Sequence, residues 1–134
     1  MNIEYVDDLL AVPGFTPEIF ESIKEYVVVL PQPTKINVNT AAPEVLAARF
    51  DTLTAADAAA LVAARENTWF RNEGEVQQQL QGKGMGSAAG QIAFSTNYFL
   101  INGNVRLSRA EMQMQALIQR QNRNATKLLW VREY

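Results

Sequence analysis

The chain has 134 residues, 48% hydrophobic and 19% charged, the composition of one globular domain or two small ones. It contains no cysteine and no histidine, which excludes thiol nucleophiles, imidazole bases and the usual zinc ligands. The net charge of −2 conceals an asymmetry: residues 1–80 carry five basic and twelve acidic side chains, net −7, whereas residues 81–134 carry seven and two, net +5. The acidic half repels polyanions. The apolar runs, among them Tyr26 to Leu30 and Tyr98 to Ile101, are far too short to span a bilayer, and no signal-peptide pattern opens the chain.

In chain order, Tyr5, Val6, Leu9, Leu10 and Val12 form an apolar stripe at helical spacing, stopped by Pro13-Gly14. Thr16-Pro17-Glu18 starts a second helix with a hydroxyl cap, a proline where no N–H is needed and a carboxylate at the positive end. Its expected inner face is Ile19, Phe20, Ile23 and either Tyr26 or Val27. Val27 to Leu30 is β-branched and extended, and the prolines at 31 and 33 keep it from continuing as helix. Ile36 and Val38 then alternate with Lys35, Asn37 and Asn39, a short extended stretch with one buried face. Asn39, Thr40 and Pro43 begin a helix to about Phe50. Thr54-Ala55-Ala56-Asp57 is a capping-box variant that opens a helix to about Glu66, burying Ala58, Leu61 and Val62. A last short helix is expected from Asn72 or Glu73 to about Gln81.

Residues 82–91 are rich in glycine and serine and read as a flexible linker. Beyond them the period changes from helical to two, which predicts three antiparallel strands in a meander over 92–134. Asn102-Gly103 offers a tight hairpin turn. The preferred reading is a longer first strand, with Gly103 at a bulge or close approach and the turn near Arg106 to Arg109. The fold class is therefore α+β: a helical domain over 1–81, the linker, and a three-stranded sheet.

Two loops have the position of a phosphate-gripping helix hairpin, Val12–Thr16 and Phe50–Thr54. The first has lost two N–H groups to Pro13 and Pro17 and presents Glu18; the second has no glycine and presents Asp51. Neither offers an anion site. The carboxylates Glu18, Glu21, Glu25, Glu73 and Glu75 read as a solvated face, with no histidine, no lysine in an apolar setting and no EF-hand spacing beside them. They call for no cofactor; calcium suits such carboxylates, but no residue spacing places it. Gly82-x-Gly84-x-Gly86-Ser87 lacks the ending of a phosphate loop. Phe99 and Trp130 are expected in a core, with arginine and lysine on the solvent side.

The run Ile36-Asn37-Val38-Asn39-Thr40-Ala41, followed by Glu44-Val45-Leu46, Arg65 and Phe70, resembles helix-hairpin-helix and SAM-like modules. With Leu9-x-x-Val12-Pro13-Gly14-Phe15, Val29-Leu30-Pro31, Ser95-x-x-Tyr98-Phe99, the strand Met112 to Arg120 and Leu128-Leu129-Trp130-x-Arg132, nearly the whole chain resembles the protein K (GspK, XcpX) family of large minor pseudopilins in type II secretion. Pro13, Gly14, Asn37, Asn39, Thr40 and Trp130 carry the motif. The resemblance implies a SAM-like domain inserted into a pilin-type fold, and a non-enzymatic role at the tip of a periplasmic pseudopilus in contact with other minor pseudopilins. Relative to that family, the leader, the membrane-anchoring N-terminal helix and the first part of the insert are expected to lie outside these residues. The apolar face of the sheet, assigned to Phe99, Met112, Met114 and Trp130 or their alternates, then needs a cover from the helical half or another molecule. The alternative is a nucleic-acid-binding module like that of competence receptors. A hydrolase built on the carboxylates has almost no support in the residues.

Overall fold

The structure, a computed structural model, describes residues 3–133, and the chain divides into two compact units between Phe94 and Ser95. The first unit opens with a 3-10 helix, Val6–Ala11, rather than an α-helix. Asp8 shapes its start: one carboxylate oxygen accepts the backbone N–H groups of Glu4 (2.8 Å) and Tyr5 (2.9 Å). Helix α1 (Pro17–Ile23) begins as its sequence dictates, with the Thr16 hydroxyl accepting from Ile19 N–H at 3.3 Å and proline in the first turn. Its expected inner face shrinks to Phe20, which is buried, with Ile23 half-buried; Ile19, Tyr26 and Val27 are exposed.

Strand β1 (Ile36–Asn37) leads to α2 (Pro43–Arg49), α3 (Ala55–Asn67) and α4 (Glu73–Gln79). The Thr54–Asp57 capping box forms in full: Asp57 N–H donates to the Thr54 hydroxyl, and Thr54 N–H donates back to Asp57 Oδ2 at 2.9 Å. Asn72 caps α4 through Glu75 N–H at 3.0 Å. One core unites these elements, built on Val38, Leu46, Phe50, Ala58, Leu61, Phe70 and Val76. The helices are short. Burial of their apolar faces, more than intrinsic helix propensity, holds them.

Residues 82–91 differ from the linker expectation. They form a 3-10 turn, Gly86–Ala88, and their Met85 and Ala88 belong to the core of the helical unit. Strand β2 (Ile92–Ala93) pairs in parallel with β1, Ile36 beside Ile92, so these residues leave the sheet to which sequence alternation assigned them. The physical reason is burial: Ile92 is 2% exposed in the helical core.

The second unit is a meander of β3 (Tyr98–Leu107), β4 (Ala110–Asn122) and β5 (Ala125–Glu133), in the order β3-β4-β5. The β3–β4 ladder runs unbroken from Tyr98–Gln119 to Leu107–Ala110, so the turn lies at Ser108-Arg109. Asn102-Gly103 is not a turn and Gly103 not a bulge; Gly103 pairs in register with Met114. The irregularity lies instead between β4 and β5, where Leu117 faces Trp130 but Ile118 faces Leu128. The extra residue, Leu129, reverses the phase of β5.

That bulge corrects the expected face. Phe99, Ile101, Met112, Met114 and Ile118 share one side with Leu128 and Val131, whereas Trp130 lies on the other with Leu100 and Leu117. Phe99 is not in a core; it is 39% exposed, with the Arg120 guanidinium 5.8 Å from its ring centre.

Candidate functional site

The asparagine-rich turn is densely hydrogen-bonded. Asn37 Oδ1 accepts from Asn39 N–H at 3.0 Å, and the Asn37 carbonyl accepts from Thr40 (3.2 Å) and Ala41 (2.9 Å). This local turn drives Val38 into the core, where it is fully buried. It also aims the Asn39 amide across the fold. Asn39 Oδ1 accepts Phe70 N–H at 2.9 Å, while its Nδ2 donates to the carbonyls of Phe70 (2.8 Å) and Phe94 (3.3 Å). Arg65 closes the other side, its Nη1 donating to the carbonyls of Val38 (2.8 Å) and Ala41 (2.6 Å). Asn37, Asn39 and Arg65 thus act on backbone, and Thr40 is exposed. The motif fastens three segments of chain through the Asn39 amide and the Arg65 guanidinium, whose polar atoms are taken up by backbone.

Pro13 and Gly14 form the tight turn between the first two helices. Gly14 has φ +96°, a conformation that favours glycine, and Phe15 N–H is taken by the Val12 carbonyl at 3.1 Å. Pro13 and Pro17 bring no N–H. The Thr16 hydroxyl and its own backbone N–H hold the Glu18 carboxyl below the usual carboxylate range, which keeps a negative charge at the mouth of the loop.

The second hairpin, between α2 and α3, is closed by the glycine-rich segment. Leu53 N–H donates to the Phe50 carbonyl at 3.1 Å. Asp51 Oδ1 accepts Ser87 N–H at 3.2 Å, the Thr52 hydroxyl donates to the Gly84 carbonyl, and the Ser87 hydroxyl reaches the Arg49 carbonyl at 3.4 Å. Gly86 makes this approach feasible: at φ +52°, a Cβ there would lie 1.8 Å from Asp51 Oδ1. Lys83 Nζ seals the edge, 2.6 Å from both Asp57 oxygens. The lysine first, then the Thr54 N–H and hydroxyl, depress the Asp57 pKa to about 2. A hairpin in this state has its groups committed to protein and a carboxylate at its centre. Phosphate has no cradle here.

The signal for this closure was present in the sequence. Met85, Ala88 and Ile92 stand three and four residues apart, the apolar spacing of a buried helical turn, beneath the glycine composition.

Trp130, the remaining motif residue, is half-buried beside Leu117, with the Arg132 guanidinium 5.5 Å from its ring centre. It sits in the sheet unit and takes no part in the Asn39 network. Among the described residues no group of three or more His, Cys, Asp or Glu is placed to hold a metal ion. A polar depression lined by Asp57, Leu61, Leu80 and Lys83 holds the ion pair already described. Among the described residues no helix is long and apolar enough to cross a membrane.

No curated protein matches the sequence. Residues 36–97 match the family model "Type II secretion system (T2SS), protein K". The matched stretch begins at β1 and ends just beyond β2, so it contains both the asparagine turn and the closed second hairpin. In structure the chain is similar to GspK in the crystal structure of the GspK-GspI-GspJ complex from the type 2 secretion system of enterotoxigenic Escherichia coli, with a TM-score of 0.78 and 18% identity. The likeness covers 98% of this chain and 48% of the other, so the chain spans about half the length of that protein. Sequence and fold point the same way: residues 36–97, a little under half of the chain, are similar to protein K of type II secretion systems, and the fold is similar to that of GspK.

Proposed function

We propose that the chain is the periplasmic portion of a minor pseudopilin, a non-enzymatic component of type II secretion that works by binding other minor pseudopilins at the pseudopilus tip. The protein K match over residues 36–97 carries this reading, and the likeness to GspK in its complex with GspI and GspJ supports it. Physical chemistry points the same way. The two hairpins that would serve a nucleic-acid binder are closed by Asp51 and guarded by Glu18, and the helical half is acidic. The role requires no cofactor. Its chemistry is surface complementarity between folded proteins.

The reading is tested by mixing the purified chain with the soluble domains of the GspI- and GspJ-type proteins of its own secretion system. Size-exclusion chromatography with light scattering is expected to show one peak at the summed mass, and labelled duplex DNA is expected to run unshifted at 0.1 M salt. Separate elution of all three proteins, together with a salt-sensitive DNA shift, would favour the helix-hairpin-helix alternative.

A further inference from the structure

After α1 the chain turns, Tyr26 N–H donating to the Ile23 carbonyl at 2.9 Å, and then runs through Val27-Val28-Val29-Leu30 to Pro31. Three consecutive valines favour extended backbone, and Pro31 restricts Leu30 to the extended region as well. The segment nonetheless belongs to no helix or strand, and among the described residues no backbone group of Val27–Leu30 is hydrogen-bonded within the protein. Val27 is 40% and Val28 43% exposed. Consecutive side chains of an extended chain point to opposite sides, so Val27 and Val28 leave each side of the segment open at its start, while Val29 and Leu30 are half-buried. The contrast is six residues further on, where Ile36 N–H and Val38 N–H are both paired to the β2 segment, at 3.2 and 3.0 Å.

Unpaired β-branched chain with open donors and acceptors is a template for a further strand. Its limits are built in. Pro31 and Pro33 bring no N–H to the edge they would share with Val27 and Val29, so a ladder on that edge stops at Val29; the other edge offers the Val28 and Leu30 donors. Its electrostatic setting is also defined. Residues 17–30 hold Glu18, Glu21 and Glu25 against Lys24 alone, and Lys24 is engaged by Glu21 at 2.5 Å. An incoming strand meets net negative charge beside the valines.

We infer that Val27–Leu30 is a strand-pairing site that takes an extended apolar segment, flanked by lysine or arginine, from a partner pseudopilin. Main-chain hydrogen bonds supply the attachment, the exposed valines the apolar contact, and the carboxylates of α1 the choice of a basic flank. The inference rests on the proposed function for the identity of the partner.

The experiment is hydrogen exchange on the full chain, alone and with the GspI- and GspJ-type domains, alongside V28P and V28T. V28P removes one main-chain donor, whereas V28T keeps both the donor and the branched side chain. Exchange at Val28 and Leu30, whose N–H groups share one edge of an extended segment, is expected to slow at least tenfold in the complex; V28P is expected to weaken binding at least tenfold while V28T binds as the parent does. Circular dichroism of each variant confirms that it is folded. A complex that forms while these amides exchange at their free rate, or V28P binding as tightly as V28T, overturns the strand-pairing site and leaves the proposed function standing. Failure of the parent chain to bind either protein overturns both.

Discussion

The two units use a similar stock of apolar residues in opposite ways. In the helical unit they turn inward: Val38, Leu46, Phe50, Ala58 and Val76 are each 0% exposed. In the sheet unit Leu117 alone is buried among the described residues, while Ile101, Val105, Leu107 and Leu128 range from 47% to 71% exposed. The helical unit is held by packing and by side chains that satisfy distant backbone. The sheet unit is held by its ladders and leaves an apolar face available. One half is finished as a solid; the other is finished as a surface.

Substitutions separate the two designs. The largest effect is expected at the centre of the helical core, where Leu46→Ala should cost about 2–5 kcal/mol in chemical denaturation, while Leu107→Ser on the sheet should change stability by less than about 0.5 kcal/mol. Equal losses at the two positions would mean that the sheet has a core of its own. Next comes the Asn39 bridge. Asn39→Ala leaves Phe70 N–H and the carbonyls of Phe70 and Phe94 without their partner and should cost about 2–3 kcal/mol. Accelerated amide exchange at Phe70, with exchange in β4 unchanged, would confine the damage to the first unit.

The smallest effect is expected from pH. Because the folded pKa of Asp57 is depressed to about 2, its contribution is fully present above the unfolded carboxylate value near pH 4. It is lost as pH falls through that value towards 2. Melting temperatures recorded from pH 6 to pH 2 should therefore drop less steeply for Asp57→Asn than for the parent. Identical slopes would assign the acid sensitivity to other carboxylates, Asp8 and Glu18 first, since both are also held below their ordinary range.

What could be read from the sequence was governed by distance along the chain. The Thr16 and Thr54 caps involve partners three residues away, so residue identity and spacing determine them. The turn at Ser108-Arg109 follows from alternation on either side. The Asn39 partners lie 31 and 55 residues away, and no local pattern names them. The bulge at Leu129 depends on the register of two strands; alternation alone put Trp130 on the wrong side with Met112. At residues 82–91 composition and spacing disagreed. Glycine pointed to flexibility and Met85, Ala88 and Ile92 to burial, and burial prevailed because Gly86 lets the segment approach Asp51 closely. The closing of the second hairpin, the feature most relevant to function, was hidden by that one misreading.

The parallel pair of β1 and β2 has a topological consequence. Chain arriving at Ile36 and chain departing at Ala93 run side by side, about 4.8 Å apart across the pair. Everything between them, three helices and their loops, is a cassette whose two ends meet at a single doorway. Evolution can enlarge, trim or exchange such a cassette while leaving the flanking scaffold's own connections unaltered.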